Sequence, residues 1–418
     1  MKTTLPLVLL LITIIASTAG CTPFEADTAQ ATAEAALATS LSFQEIESPA
    51  APGSGLPNFF VTPGGTVLLS WVEPGAEKQS ALRFARLDGE AWAAPQTIAE
   101  GDDWFINWAD FPSIVALGDS ALAAHMLVKS GPDTYAYDVQ ITQSLDGGQT
   151  WSPPVKPHRD GTLSEHGFVA MLPTHDGRLL ATWLDGRNTG GGHDGHGGGA
   201  MTLRAATLGP DGALADEVEL DGRVCDCCQT SAARTAHGAV VAYRDRSDRE
   251  IRDIAVVRLD ENGWSTPRVV YEDGWEIAGC PVNGPAVAAD NARVAVAWFT
   301  AAADTPRVRV ALSEDGGQTF GPATTVDDGE PIGRVDVTLL PDGGVLVSWV
   351  EKTSSGAAIR VRRIHPDGTR EASATVAPTS PKRASGFPQL ARRGTDLYIA
   401  WTNADADPLQ LHTAVATL

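Results

Sequence analysis

Short apolar runs, each ended by a turn, make up most of the chain. Typical examples are TVLLSW at 66–71, VRVALS at 308–313 and AAIRVRRI at 357–364. Gly, Asp and Asn separate these runs, and β-branched and aliphatic residues dominate inside them, as in the strands of an antiparallel sheet. No long stretch carries apolar residues at the helical period. The pattern therefore predicts an all-β chain of many short strands.

The runs repeat, and an aromatic residue ends most of them. The recurring positions are Trp71, Trp183, Tyr243, Trp298, Trp349 and Trp401, and His125 fills the remaining gap. Successive positions are 51 to 60 residues apart, which gives seven units. A period near fifty with four short strands per unit is typical of a β-propeller, so we expect these seven side chains in the core. The last unit lacks an outer strand, and LSFQEIE at 41–47 is predicted to supply it.

The first forty residues differ in composition from the rest. One cation, Lys2, precedes an apolar run that is too short to span a bilayer and ends in the small residues STAG. Cys21 follows them, in a pattern that resembles the lipobox of bacterial lipoproteins. The resemblance implies a signal peptide over 1–20, acylation of Cys21, a flexible tether over 21–40 and a propeller over 41–418. Ordinary secretion is the alternative. We expect a cell-envelope protein anchored in the outer membrane by its lipid.

The formal net charge of −21 limits the partners. It argues against nucleic acid and against direct binding to an anionic membrane surface. A small molecule or a glycan is the expected ligand, the lipid is the expected contact with the membrane, and the chain is expected to be a monomer.

Two stretches carry a family motif. SLDGGQTW at 144–151 and SEDGGQTF at 313–320 resemble the Asp-box of the BNR-repeat sialidase-like propellers. The carboxylate and hydroxyl of such a box bond turn amides, and Gly permits positive φ, so the box is predicted to build a turn. The resemblance implies a sialidase-type propeller, with the six blades of characterised sialidases as the alternative to seven. It also implies that Asp-boxes face away from the ligand.

The opposite face would then carry the chemistry. Its loops lead into the first strand of each unit and join the second strand to the third. The candidate residues on the entry loops are Asp110, His166, Cys225, Cys227, Cys228, Cys280, Asn283, Arg334 and Asp336. Those on the second set of loops are Asp185, Arg187, His193, His196, Arg244, Asp245, Arg246 and Glu351. Arginines gathered at one mouth of an acidic protein favour a ligand site.

The resemblance to sialidases suggests one chemistry for this mouth. Arg187, Arg244 and Arg334 would bind a carboxylate through paired N–H groups, and Asp110 or Asp185 would act as the acid. Arg246, Asp245, Asp336, Asn283 and Glu351 would add ligand contacts. The chain lacks the F/Y-R-I-P motif and an evident Tyr–Glu pair late in the sequence, so binding of a glycan-derived or small anionic ligand is favoured over exo-sialidase hydrolysis. A non-catalytic docking propeller is a further alternative.

The cysteines admit two interpretations. Cys225 and Cys280 lie eighteen residues before the aromatic of their units, hence on neighbouring blades. In an exported protein a disulfide staple is expected, either Cys225–Cys280 or Cys228–Cys280 with Cys225–Cys227. The alternative is copper or zinc, held by ligands drawn from Cys225, Cys227, Cys228, Cys280, His166, His193 and His196. No other cofactor is expected.

Overall fold

The alternation of apolar runs and Gly or Asp turns produces seven antiparallel sheets arranged as the blades of a propeller. A computed structural model describes Met1, residues 41–190 and residues 199–418. The innermost strands of successive blades contact one another around the ring, and β2 (Gly55–Val61) of the first blade meets β27 (Gln389–Arg393) of the last. The predicted seven-unit propeller is confirmed, and the six-bladed alternative is wrong.

Blades 1 to 3 occupy the first half of the ring. Blade 1 contains β2, β3 (Val67–Pro74), β4 (Ser80–Asp88), β5 (Ala91–Trp92) and β6 (Gln96–Gly101). Blade 2 contains β7 (Ser113–Ala116), β8 (Leu122–Lys129) and β9 (Tyr137–Ser144). Blade 3 contains β10 (His166–Pro173), β11 (Leu179–Asp185), β12 (Thr202–Leu208) and β13 (Leu214–Asp221).

Blades 4 to 7 complete the ring. Blade 4 contains β14 (Ser231–Thr235), β15 (Gly238–Arg244), β16 (Ile254–Asp260), β17 (Gly263–Trp264) and β18 (Arg268–Val269). Blade 5 contains β19 (Ala286–Asp290), β20 (Arg293–Thr300), β21 (Arg307–Ser313) and β22 (Thr324–Thr325). Blade 6 contains β23 (Pro331–Leu339), β24 (Val345–Thr353), β25 (Gly356–Ile364) and β26 (Ala374–Thr379). Blade 7 contains β27, β28 (Asp396–Asn403), β29 (Gln410–Thr417) and β1 (Gln44–Ile46).

Helical segments in the described ranges are limited to two 3-10 turns, Ala302–Asp304 and Arg383–Ser385. No helix in this part of the chain has the length and apolar character needed to cross a bilayer.

The recurring aromatic position is the core of each blade. The seven side chains lie on the second strand of successive blades, and all are buried: Trp71, His125, Trp183, Tyr243, Trp298, Trp349 and Trp401. Because adjacent sheets pack face to face, each ring fills the space between neighbouring blades. Both Tyr243 and His125 are core residues, as the spacing predicts.

The ring closes through the strand that the sequence predicts. β1 pairs antiparallel with β29, with Gln44 opposite Val415 and Ile46 opposite Thr413. The first strand of the propeller is therefore the outermost strand of blade 7, and it covers the edge that β29 would otherwise expose.

The two Asp-box-like stretches, 144–151 and 313–320, form turns at one end of the blades. The Ser144 hydroxyl donates to Asp146 Oδ1 (2.8 Å) and accepts from the Gly148 amide (2.8 Å), while the Thr150 amide donates to Asp146 Oδ1 (2.9 Å). Ser313, Asp315, Gly317 and Thr319 repeat these bonds. The Gly147 amide bonds Ser120 in the turn between β7 and β8, so the box lies opposite the entry loops.

Candidate functional site

The entry loops and the loops between the second and third strands form the mouth of the propeller. Below it, a central channel of about 280 Å³ runs between the innermost strands. The channel is lined from every blade, by residues that include Asn58, Val115, Met171, Ser231, Val287, Asp336 and Gln389. Residues of all seven blades therefore line the channel.

The cysteines lie together at this face, on the segment that enters blade 4. Cys225, Cys227 and Cys228 are buried, and their Sγ atoms lie within 4.8 Å of one another. Cys280, from the segment that enters blade 5, is exposed and hydrogen-bonds the Cys227 thiol. No disulfide joins these four cysteines in the structure. The juxtaposition of blades 4 and 5 that the spacing predicts is present, and a disulfide staple stays a prediction.

Charges around the cluster set the acidity of its thiols. Burial opposes ionisation of Cys225, but hydrogen bonds from Cys227 and Cys228 and the positive charges of Arg252 and Arg244 hold its pKa well below the ordinary value. Burial and the hydrogen bond with Cys225 raise the pKa of Cys228. Arg252 Nη1 donates to Cys225 Sγ across 3.3 Å. Cys225 is therefore the preferred thiolate of the group.

Arg244 connects blade 4 to blade 5. Its guanidinium donates to the carbonyl oxygens of Asn283 (2.7 Å), Phe299 (2.7 Å) and Arg252 (2.6 Å), and it lies 4.9 Å from the centre of the Trp275 ring. A fully buried guanidinium is stable here because carbonyl oxygens satisfy its donors. These contacts make Arg244 an inter-blade clamp.

Arg334 has a comparable role between blade 6 and the loop before blade 7. It donates to Ser385 Oγ (2.8 Å) and to the Lys382 carbonyl (3.0 Å), and it stacks 5.2 Å from the Trp108 ring centre. Asn283 fixes its backbone, because Asn283 Oδ1 accepts from the Arg334 amide at 2.8 Å. Burial lowers the pKa of Arg334 to about 10.

Arg187 belongs to a third group, between blades 2 and 3. Its guanidinium donates to both oxygens of Asp185 (2.7 Å each) and to Glu217 (2.7 Å), and Asp185 also accepts from Trp183 Nε1 (2.8 Å). The guanidinium groups of Arg187, Arg244 and Arg334 thus donate to different protein acceptors. Each guanidinium is bonded to protein groups, and the carboxylate site that the sialidase resemblance suggested stays a prediction.

His166 joins Asp185 in this group rather than joining the cysteines. Its ring stacks on His158 with centroids 3.8 Å apart, and its Nε2 lies 3.3 Å from Asp160 and 3.7 Å from Asp185. Burial opposes its charge, but these carboxylates raise the pKa of His166. Burial and the neighbouring His166 lower the pKa of His158 to about 4. Imidazole and carboxylate ligands are close enough here to hold a cation, with Asp138, His158 and His166 within 4.8 Å of one another.

Arg246 and Asp245 lie beside the cysteine cluster. Arg246 pairs with Asp226 (3.1 Å) and Glu250 (2.8 Å), whereas Asp245 Oδ1 accepts from the Arg246 amide at 2.6 Å. Burial raises the pKa of Asp245 to about 6. Asp226, which stands between two of the cysteines in the sequence, is thereby held at the mouth.

Two further candidates serve the framework. Glu351 accepts from Trp349 Nε1 and from the Glu330 amide (2.6 Å). Asp336 faces the channel and accepts from the amides of Leu390 (2.7 Å) and Val337 (2.8 Å); burial raises its pKa to about 7. Trp183–Asp185 and Trp349–Glu351 share one arrangement, an acid two residues after the core tryptophan. In the sequence, the signal for this hydrogen bond is an acidic residue two positions after the core tryptophan.

Asp110 has partners that the sequence did not reveal. The Tyr137 hydroxyl lies 2.9 Å from Asp110 Oδ2 and 2.8 Å from Glu165 Oε1, and the Phe168 amide donates to Asp110 Oδ1 at 2.7 Å. Gly167 permits this approach, since a Cβ there would lie 2.1 Å from Asp110 Oδ2. Burial raises the pKa of Asp110 to about 7.

A cavity of about 220 Å³ opens at Glu165, between blades 2, 3 and 4; we call it the mouth cavity. Its lining includes Asp133, Tyr135, Ser164, Glu165, Thr189 and Asp226. The segments that form it are a second-to-third-strand loop, two entry loops and the segment after β11, as the sequence predicts for the ligand face. His193, His196 and Cys21 lie outside the described residues, so their roles stay predictions.

Solved structures share this architecture, whereas protein families and curated proteins give no match. No protein-family model matches the chain, and no curated protein matches it. Its structure is similar to phage phi92 endosialidase, with a TM-score of 0.50, 9% identity, and coverage of 90% of this chain and 69% of that chain. It is also similar to a mutant of the α-L-arabinofuranosidase Arb93A from Fusarium graminearum in complex with an iminosugar inhibitor, with a TM-score of 0.50, 13% identity, and coverage of 90% and 97%.

A protein of unknown function from Dyadobacter fermentans gives a TM-score of 0.49 at 15% identity, with coverage of 90% of this chain and 98% of that chain. At these identities the similarity concerns the fold alone, which is the β-propeller that the sequence predicts.

Proposed function

We propose that this chain is an envelope propeller that binds a glycan-derived ligand in the mouth cavity, with Glu165 as the principal contact. The observation that carries the proposal is the hydrogen-bonded series Asp110–Tyr137–Glu165, which ends in a cavity. The proposed anchor at Cys21 and tether over 21–40 would hold the propeller at the membrane.

The protonation of this series supports a fixed role for Glu165. A single phenol proton can be donated to only one carboxylate at a time, so both contacts are full hydrogen bonds only when one of the two acids carries a proton. Burial raises the pKa of Asp110 to about 7, so Asp110 takes up this proton as the pH falls below neutral. When Asp110 is ionised, the Tyr137 hydroxyl can donate to it; when Asp110 is protonated, its own proton can point to the Tyr137 oxygen and Tyr137 can donate to Glu165. This arrangement orients the Glu165 carboxyl group at the mouth cavity, where it can contact a ligand hydroxyl group.

The rest of the lining suits a sugar better than a small anion. Asp133 and Asp226 add carboxylates, and Ser164 and Thr189 add hydroxyl groups. Tyr135 is 37% exposed and provides an aromatic surface beside them. Sugar hydroxyl groups bond carboxylates and hydroxyls, while the C–H face of a sugar ring packs on an aromatic ring. The arginines that would bind an anion are engaged with protein groups instead.

The experiment is glycan binding by purified protein and by Glu165→Gln. On an array that includes arabinofuranosyl and sialylated oligosaccharides, the wild type should retain at least one glycan class, and Glu165→Gln should bind it at least ten-fold more weakly. Asp119→Asn removes a charge on the Asp-box face and should bind within two-fold of the wild type.

Equal binding by Glu165→Gln, or no glycan bound by the wild type, contradicts the proposal. Analysis of the bound glycan by mass spectrometry distinguishes binding from hydrolysis, since only an enzyme shortens it. Thermal unfolding of both variants checks that the substitutions leave the fold intact.

A further inference from the structure

The three buried cysteines form a group that the ligand site does not use. Cys225 and Cys228 are each 1% exposed and Cys227 is 6% exposed, so the group is shielded from water. Sγ of Cys225 and Sγ of Cys228 are 3.3 Å apart, and all three sulfur atoms lie within 4.8 Å of one another. Three thiols are seldom brought together in an exported protein without being bonded to one another or to a shared partner.

The separation of the sulfur atoms fits one metal ion. A thiolate binds a d10 ion at about 2.3 Å, and three sulfurs in a plane around such an ion are about 4.0 Å apart. The Cys225 and Cys228 sulfurs are 3.3 Å apart and no pair of the three exceeds 4.8 Å, so the group is compact enough to close around one ion. Among the described residues, no histidine nitrogen or carboxylate belongs to this group, so its ligands are all soft.

We propose that Cys225, Cys227 and Cys228 bind one copper(I) ion as a trigonal three-thiolate site. Soft thiolates select copper(I) and zinc(II), and a structural zinc site normally has four ligands. The compact group here has three. Each thiol that binds loses its proton to solvent, and the ion keeps its oxidation state.

Positive charge surrounds the three thiols and offsets the charge of the thiolates. Arg252 Nη1 lies 3.3 Å from Cys225 Sγ, and Arg252 and Arg244 are 3% and 2% exposed. Asp226 lies beside the same group, and Asp226 and Glu250 each pair with both Arg246 and Arg252. A guanidinium that donates to a ligating sulfur orients that ligand and reduces the cost of burying its charge.

Cys280 provides the entry path. It is exposed and contacts the thiol of Cys227, which in turn contacts Cys225 and Cys228. A metal ion can therefore exchange from Cys280 to Cys227 and then to the buried group, one ligand at a time. Cys280 is thus an entry residue rather than a ligand of the final site.

Anaerobic loading of the reduced full chain tests the site. Native mass spectrometry should find one copper(I) per chain, retained against bicinchoninate. Cys228→Ser should retain it at least a hundred-fold less tightly, and Thr230→Ser, a matched change in the same segment, should retain it like the wild type. Cys280→Ser should reach the wild-type affinity but take up copper(I) at least ten-fold more slowly. Loss of retention in Cys280→Ser would overturn the three-ligand assignment.

Thiol labelling gives a readout that needs no substitution. Copper(I) should protect Cys225, Cys227 and Cys228 from alkylation and leave Cys280 reactive, as located by peptide mass spectrometry. Failure to retain copper(I), or disulfides in place of these thiols in metal-free protein purified in air, overturns the proposal. If the protein instead holds one zinc(II) per chain and copper(I) does not displace it, the site binds zinc(II) and the copper(I) proposal is wrong.

Discussion

At the scale of single residues, position in the blade decides whether a polar side chain is structural. Asp185 and Glu351 looked like mouth acids, yet each accepts a hydrogen bond from the core tryptophan two residues before it. His125 takes the core position itself and is fully buried, with Nδ1 3.1 Å from Ser113 Oγ. Burial lowers the pKa of His125 to about 3, because a charged imidazole would lose its hydration there.

This histidine should make the propeller sensitive to acid. Its pKa in the folded state is about 3 and in the unfolded state about 6.5, so the unfolded chain binds the extra proton and stability falls as the pH drops through 6.5. Between pH 7 and pH 5 the loss amounts to about 2 kcal/mol. In His125→Phe that part of the pH dependence should vanish in chemical denaturation experiments. The control His237→Gln changes an exposed histidine and should leave the slope of unfolding free energy against pH as in the wild type. An unchanged slope in His125→Phe would contradict this account.

At the scale of elements, each Asp-box is a turn closed by its own side chains. Hydrogen bonds from Thr150 and Ser144 lower the pKa of Asp146 to about 2, and the corresponding bonds in the second box, against the opposing effect of burial, lower the pKa of Asp315 to about 2. Trp151 then packs on Phe84 of the preceding blade with ring centroids 6.2 Å apart. The box thus links the third strand of one blade to its neighbour.

Removing the carboxylate of one box should lower stability in a pH-dependent manner. The stabilisation by Asp146 is present above its unfolded pKa of about 3.9 and is lost as the pH falls through the folded pKa of about 2. Asp146→Ala should therefore melt below the wild type at pH 7, and the two melting temperatures should converge as the pH falls from 5 toward 2. Asp119→Ala in the adjacent turn is the control. A gap that stays constant with pH would show that the carboxylate is not the cause.

At the scale of the whole molecule, the ring is closed by pairing of its two ends. β1 covers the edge of β29, and His412 Nδ1 lies 3.0 Å from Glu45 Oε1 across that pair. Phe43 packs against the core cluster that contains Ile399 and Trp401. The last blade is therefore complete only when residues from the beginning of the propeller reach it.

Deleting residues 41–48 together with everything before them should weaken the ring. Blade 7 would lose its outer strand, and the unpaired edge of β29 would be open to pairing with other chains. We expect a lower melting temperature in calorimetry and aggregates in size-exclusion chromatography. A chain that begins at residue 41 retains β1 and should match the longer protein. Identical behaviour of the two truncated chains would show that β1 does not contribute to closure.

The amino-acid sequence by itself determined the propeller. The aromatic repeat, the Asp-boxes and the early strand all depend on local patterns, and local patterns fix strand period, turn chemistry and the number of repeats. The same alignment placed Cys225 and Cys280 on neighbouring blades, because equivalent positions in successive blades lie side by side.

Only the tertiary structure decided which mouth residues are bonded to other protein groups and which line a cavity. Arg187, Arg244 and Arg334 look equivalent in the sequence, yet each donates to different protein groups. Tyr137 and Glu165 carried no motif, because the contacts among Asp110, Tyr137 and Glu165 join segments more than twenty-five residues apart. Which acceptors a buried guanidinium or hydroxyl group finds depends on which blades meet at the mouth. A pattern along the sequence does not contain that information.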